Sequence, residues 1–326
     1  MIIDGSYGEG GGQILRTAVA LSCILGEDVR VINIRKGRSK PGLKNQHIHG
    51  IKLAAEMCGA EVNGLELGST ELSFSPSQIK GGNYSVRIKT AGSITLVLQV
   101  ALPIALVSGE RVRVDITGGT DVPFSPPVDY YIHVLFPLLS RFGARVHARV
   151  IERGYYPKGG GRVIVEIEPR PLARISLLSR GKMIRQIAYV NQRALPEHVL
   201  RRIENAFGDF DIIEDAKVAS LSTGCGVVLV AEYENTMLSG TALCRKGIRA
   251  ERVAEMAKTV LLEEERSGGT VDRHMADHLP IFTFVAGVVE YKPSVLTSHA
   301  TTNLWLMEKF GARVEKGDKI SVHAYI

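Results

Sequence analysis

Chemistry first shows itself at residues 7–16, YGEGGGQILR, where a run of glycines precedes an apolar, helix-like segment. Such a run bares backbone N–H groups toward an anion at a helix N-terminus. The Lys-Ser/Thr pair of a P-loop is absent, and Glu9 stands among the glycines instead. A carboxylate belongs beside phosphates if it holds the divalent cation that travels with a nucleoside triphosphate; the simpler alternative is helix capping. Gln13 and Arg16 lie three apart, on one face of the first helical turn. A second stretch, IRKGRSKPGLKNQH, crowds Arg35, Lys36, Arg38, Lys40 and Lys44 into a strand-to-helix connection stiffened by Pro41 and Gly42. Gln46 and His47 open the following helix. Arginine forks suit phosphate oxygens, although such charge runs also serve as solvated loops.

Histidines gather near the C-terminus. DRHMADHL puts His274 and His278 four apart, with Asp277 between them, at a predicted helix start. That spacing also fits a zinc pair, but the Glu of HExxH is missing and no further ligand is evident. LTSHATTNLW sets His299 at a strand-to-helix junction. Between these regions lie KTAGSITLVLQ, where Ser93 and Thr95 can cap a helix and Gln99 needs a partner once buried, and the loops GGTDVPFSPP and RGYYPKGGGR. The glycines of the last allow positive φ in a hairpin.

The elements that must carry these residues repeat. GIKLAAEMCGAEV, VLFPLLSRFGARV and NLWLMEKFGARV each read as an apolar-periodic helix closing on a glycine (Gly59, Gly143, Gly311), then a strand. Upstream of each comes a helix-like stretch and a strand candidate: QILRTAVALSCIL with VRVINIR, SITLVLQVALPIAL with RVRVDIT, ADHLPIFTFVAGVV with PSVLTS. A last strand follows each: TELSFSP, GRVIVEIEP, ISVHAYI. The predicted fold is α/β of the α+β kind, three copies of a two-helix, four-stranded unit over residues 1–174 and 271–326. Residues 175–270, with helices in EHVLRRIENAF and RAERVAEMAKTVLLEEERSGG and a strand in GVVLVAEYE, read as a smaller inserted α/β domain interrupting no copy, with SGGT at 267–270 as its return hinge. Counting back twelve from each repeat glycine gives His47, Tyr131 and His299, so an exposed helix start is expected at all three.

The bulk properties narrow the partners. A 326-residue chain with 45% apolar and 23% charged residues is globular, of two or three domains. Its net charge of +6 and pI near 9.1 favour a polyanion such as nucleic acid or nucleotide. The four cysteines, at 23, 58, 225 and 244, form no CxxC pair, which argues against a zinc cluster or a dense disulfide framework and fits a reducing cytoplasm. Whether Cys225 and Cys244 pair stays open. The N-terminus lacks an apolar signal core, and the run ITLVLQVALPIALV is short and broken by Gln99 and Pro103, so neither export nor membrane insertion is expected.

Taken together, DGSYGEGGGQILR, IRKGRSKPGL, AGSITLVLQ, GGTDVPFSPP, RGYYPKGGG and SHATTN resemble the RNA 3′-terminal phosphate cyclase family, in order and spacing, end to end. The resemblance implies three repeats like the C-terminal domain of translation initiation factor 3, plus an inserted domain. It implies ATP-dependent conversion of an RNA 3′-phosphate to a 2′,3′-cyclic phosphate, with release of AMP and pyrophosphate and with Mg²⁺ or Mn²⁺ present. In its terms His299 is the nucleophile that carries AMP, Glu9 the metal ligand, and Arg16, Arg35 and Arg38 hold phosphates. Gln13, Gln46, Gln99 and the segment His274, Met275, Ala276, Asp277 and His278 fall to the nucleotide. The family often has Asp-Gln where this chain has Asp277-His278, which puts that contact in question. Two other readings remain: a non-catalytic cyclase-like RNA-binding protein of ribosome assembly, expected to lose His299, and an enolpyruvyl transferase of related three-repeat architecture, which needs no nucleophilic histidine. The physiological RNA and the oligomeric state are not legible.

Overall fold

The computed structural model describes residues 1–217 and 221–324. In the first sheet β1 (Ile2–Asp4), β2 (Val29–Ile32), β3 (Glu61–Asn63) and β4 (Leu72–Ser75) lie in the order β1-β2-β4-β3, with α1 (Gly12–Leu25) after β1 and α2 (Asn45–Cys58) after β2. The first pair is parallel and the others antiparallel. The second sheet, β5 (Gly82–Arg87), β6 (Val112–Gly118), β7 (Arg145–Glu152) and β8 (Gly161–Glu168), has the same order and the same directions. Its helices are α3 (Ile94–Leu106) and a continuous run of α4 (Val128–Tyr130), a π-helical stretch (Tyr131–Leu135) and α5 (Phe136–Ser140).

Strand β9 (Ile175–Leu177) comes next, followed by a sheet of another topology. There β10 (Met183–Arg193), β11 (Asp211–Lys217), β12 (Gly224–Tyr233) and β13 (Met237–Leu243) run β11-β10-β12-β13, with α6 (Glu197–Glu204) and α7 (Ala250–Arg266). This sheet has its own core, built on residues such as Val190, Ile203, Phe207, Val227, Leu229, Val253 and Leu261. The chain then forms α8 (Arg273–His278), a 3₁₀ turn (Leu279–Phe282), α9 (Thr283–Ala286), β14 (Val288–Tyr291), α10 (Ser298–Lys309), β15 (Arg313–Lys316) and β16 (Ile320–His323). These last strands take β9 back as a parallel edge, in the order β9-β14-β16-β15.

Each repeated sheet thus opens on a strand that the sequence left undefined. In the third, that strand is β9, so this copy begins at Ile175 rather than near Val271, and the β10–β13 sheet interrupts it after its first strand. PSVLTS is loop up to its last residue, which opens α10, and the strand falls earlier, at Val288–Tyr291, because Gly287 (φ +75) stops the helix there. The ISVHAYI strand is seen at Ile320–His323; its last two residues lie outside those described. One apolar core spans the three repeated sheets, with α1 and α3 almost wholly inside it. That explains why these helices are apolar all round rather than striped. Cys225 and Cys244 form a disulfide between β12 and the end of β13, and no helix among the described residues is long and apolar enough to cross a membrane.

The basic loop between β2 and α2 is clamped by backbone. Gly42 N donates to Ile34 O (2.8 Å) and Gly68 N to Leu43 O (2.9 Å). Gly42 has φ +75, and a Cβ there would overlap the carbonyl oxygen of Gly68. Gly42→Ala is therefore expected to destabilise the protein by about 1–3 kcal/mol in urea denaturation. Unchanged stability would contradict this close approach.

Candidate active site

Three loops distant in sequence meet at Glu9. Its Oε1 accepts from Arg38 Nη2, and its Oε2 accepts from Ser298 Oγ (3.1 Å) and lies 3.2 Å from His299 Nδ1. The glycine-rich loop brings Glu9 there because Gly8 (φ +57) and Gly10 (φ +56) take the left-handed backbone. At Gly8 a Cβ would sit 2.8 Å from Thr302 Oγ1, so a glycine lets the loop lie directly on α10. His299 is the second residue of α10, whose first turn is capped by Thr297 Oγ1 accepting from Ala300 N (2.9 Å).

Burial pushes the His299 imidazole below its ordinary range; Glu9 pulls it back up, and Arg16 and Arg38 push it down again. The net shift is downward, which makes the neutral ring the resting form at pH 7. Burial alone would raise the Glu9 carboxyl, but Arg38, His299 and Ser298 together hold it low. The charge of a carboxylate 3.2 Å from Nδ1 favours the neutral tautomer that carries its proton on that nitrogen, which leaves Nε2 its lone pair.

Behind this pair is a cleft of about 440 Å³, lined by Gln13 and Arg16 of α1, Gln99 of α3, His274, Asp277 and His278 of α8, and His299 itself. Gln13 Nε2 donates to His299 O (3.0 Å), which ties α1 to α10. Arg16 Nε donates to Gln99 Oε1 (2.7 Å), supplying the partner that Gln99 requires. Burial lowers Arg16 to about 10, so it stays charged at neutral pH. Burial likewise raises Asp277 to about 7, although Thr297 Oγ1 donates to its Oδ1.

Four of the expected residues stand apart from this cleft. Met275 and Ala276 are fully buried in the core. Arg35, buried at φ +56, donates through Nη1 to Lys40 O (2.7 Å) and Gly42 O (2.9 Å), bracing its own loop. Gln46, on the first turn of α2, packs beside Gly92. The exposed helix start holds for His299 alone: His47 and Tyr131 are 3% and 1% exposed. His47 Nδ1 accepts from Lys44 N (3.1 Å), and its Nε2 edge fills the space a Cβ on Gly12 would need. The sequence gives no role to Thr297 and Ser298, which precede the histidine, or to Tyr131, whose hydroxyl reaches His278 on the cleft's inner wall. The count-back from Gly143 pointed at Tyr131 but gave the wrong side of the helix.

His278 uses both ring nitrogens inside the protein. Nδ1–H donates to His274 O (2.6 Å), and Nε2 accepts from Tyr131 Oη (2.8 Å). Among the described residues no cluster of three or more His, Cys, Asp or Glu could hold a metal ion, and no zinc set forms around His274 and His278.

A cleft walled by glutamine, arginine, histidine and carboxylate side chains from all three repeated sheets is built as the site of an enzyme. The family model described as RNA 3′-terminal phosphate cyclase matches residues 7–315, and the chain belongs to that family. It is 44% identical over 319 residues to the RNA 3′-terminal phosphate cyclase of Nitrosospira multiformis, covering 94% of this chain and 90% of that protein. The enzyme of the same name from Methanosarcina barkeri is 43% identical, covering 94% of this chain and 93% of that protein. Among solved structures the enolpyruvyl transferase NikO from Streptomyces tendae aligns with 99% of this chain and 65% of its own, at 11% identity and a TM-score of 0.30, an overlap too slight to bear on the fold.

The buried histidines set the response to acid. Burial holds His278 down at about 3. Below about pH 6.5 the unfolded chain therefore takes up a proton here that the folded protein refuses, and stability falls as the pH drops. His278→Gln removes that loss. Between pH 7 and pH 5 its stability relative to the parent should improve by about 2 kcal/mol in urea denaturation. Equal acid sensitivity in both proteins would contradict a neutral, buried His278.

Proposed function

We propose that this chain converts an RNA 3′-phosphate to a 2′,3′-cyclic phosphodiester at the expense of ATP, through AMP carried covalently on His299. The observation that carries the reading is the Glu9 carboxylate 3.2 Å from His299 Nδ1, at the N-terminal turn of α10 and the mouth of the cleft. Family membership supplies the overall reaction, and this pair supplies its nucleophile.

Nε2 of His299 attacks the α-phosphorus of ATP; a P–N bond forms as the bond to the pyrophosphate oxygen breaks. Glu9, accepting from Nδ1–H, stabilises the positive charge the ring acquires. A terminal phosphate oxygen of the RNA then attacks the same phosphorus, and the P–N electron pair returns to Nε2. Finally the neighbouring 2′-OH attacks the RNA phosphorus, AMP leaves, and the hydroxyl proton passes to solvent. Proximity makes this closure efficient, and only RNA carries the 2′-OH.

Arg16 and Arg38 stand where phosphate charge would develop, while Arg35 acts through the loop it braces. Gln13, Gln99, His274 and Asp277 line the nucleotide's side of the cleft. Mg²⁺ or Mn²⁺ fits in one way. Arg38 and Ser298 donate to two of the roughly four acceptor positions of Glu9, and His299 Nδ1 lies against its Oε2, so a cation held there would draw its other ligands from substrate oxygens and water. When bound, it would neutralise phosphate charge. The repeated sheets suit the initiation-factor-like unit, the β10–β13 sheet suits an inserted domain, and a cytoplasmic setting suits RNA processing.

His299→Ala should abolish the ATP-dependent mass increase of one AMP while leaving urea stability unchanged. Glu9→Ala should slow adduct formation at least tenfold, with partial recovery in excess Mn²⁺. With ATP, a 3′-phosphorylated RNA oligonucleotide should acquire a phosphatase-resistant end, whereas the matching DNA should stall as an adenylylated end. A normal adduct in His299→Ala, or an RNA end left phosphatase-sensitive by a demonstrably adenylylated enzyme, would overturn the assignment.

A further inference from the structure

The loops GGTDVPFSPP and RGYYPKGGGR take no part in the chemistry above, yet the structure joins them. Thr120 N and Asp121 N both donate to Gly154 O (2.8 and 3.2 Å). Below them Arg153, buried, makes a two-pronged pair with Asp129 (2.8 Å for each bond), and Tyr155 Oη donates to Asn191 Oδ1 (2.6 Å) on β10. From this fixed base two aromatic rings project. Tyr156 is 68% exposed, and Phe124 is wholly exposed at φ +68. A bulky side chain in the left-handed region is an outlier, and a bare phenyl ring in water gains nothing for the fold.

These rings form one wall of a second cleft, of about 830 Å³. The β10–β13 sheet unit forms the other wall, with apolar Leu195, Val199 and Ile248 and with Arg245 and Lys246. Both cations are exposed, and neither makes an ion pair among the described residues. Pro123, Phe124, Leu243 and Arg245 also line the cleft that holds His299, so the two spaces adjoin. Apolar faces for bases beside unpaired cations for phosphates are the components of a single-stranded nucleic-acid groove.

We propose that this second cleft binds the single-stranded RNA segment immediately 5′ of the terminal phosphate. Bases stack on Phe124 and Tyr156, and backbone phosphates meet Arg245 and Lys246. The proposal rests on the RNA substrate assigned above. In it the β10–β13 unit closes a groove over the strand whose end reaches His299. Charge and the adjoining position both favour this occupant over a peptide, which would have no need to lie beside the His299 cleft.

Two readouts keep this separate from the catalytic reading: adduct formation from ATP without RNA, and binding of a fluorescent 3′-phosphorylated single-stranded RNA without ATP. Phe124→Ala and Tyr156→Ala should each weaken RNA binding about tenfold. Phe124→Tyr should retain it, and Tyr156→Ala, whose ring lines the second cleft and not the one that holds His299, should form the AMP adduct at the parent's rate. Arg245→Ala with Lys246→Ala should weaken binding and lower the slope of log affinity against log salt by about 1.4, roughly 0.7 per lost phosphate contact. RNA affinities within twofold of the parent in every variant would overturn the proposal, whether the groove holds a peptide or nothing. A parent that binds RNA through these residues but forms no adduct would overturn the catalytic reading alone.

Discussion

The contact on which the site depends is the one between the Glu9 carboxylate and His299 Nδ1. It links residues 290 positions apart, and with the bonds from Arg38 and Ser298 it is one of three contacts by which Glu9 gathers the glycine-rich loop, the basic loop and the start of α10. A side chain at Gly8 would collide with Thr302, so the glycines of the first loop serve approach to the histidine's helix as much as exposure of backbone N–H groups. Gln13 completes the arrangement by holding the carbonyl of His299 itself. The imidazole is thereby fixed at its backbone and at Nδ1, leaving one nitrogen for chemistry.

Holding that contact requires the three repeated sheets to stay in register, and buried polar bonds do this at the seams. Thr17 of α1 donates to Asn303 of α10, whose amide donates to Asp277 O. Asp272, fully buried, caps α8 through Met275 N and accepts from Tyr130 Oη and Ser239 Oγ, joining the second repeat, the third and β13 at one carboxylate. Arg153, Asp129, Asn191 and Asp215 seat the β10–β13 unit on the second repeat in the same way. Removing one partner from such a network leaves a buried charge uncompensated, which is costlier than the net worth of the pair. The unit is therefore held as a fixed wall of both clefts.

Much of this was legible in the chain, and the exceptions have physical causes. The helix-glycine-strand period showed because apolar periodicity and left-handed caps are local signals; Gly59, at φ +60, ends α2 as expected. Strand β9 was hidden because its partner β14 lies over a hundred residues away and three residues carry no period. Val288 and Val289 read as helix because they continue an apolar run, and only Gly287 marks the break. Glu9, Arg16 and Gln99 were singled out by type and spacing and His299 by the family resemblance, and the fold gathers them in one place. Arg35 was assigned to phosphate by charge and by the family resemblance; the structure adds that its Nη1 donates to carbonyls five and seven residues ahead, a bracing that loop geometry makes and composition cannot show. His47 and Tyr131 share a repeat position with His299 but are packed under neighbouring helices, because equivalent positions need not face equivalent surroundings.

The central claim is that Glu9 fixes the proton of His299 on Nδ1 and leaves Nε2 free to attack phosphorus. Long-range ¹H–¹⁵N NMR of the histidine ring nitrogens at pH 7.5, with His299 assigned by comparison with a His299→Gln sample, reads that proton directly. The account predicts a single tautomer, protonated at Nδ1 and bare at Nε2, which relaxes to the mixture of a free imidazole in Glu9→Gln. A His299 protonated at Nε2, or one whose tautomer ignores the loss of Glu9, would contradict it.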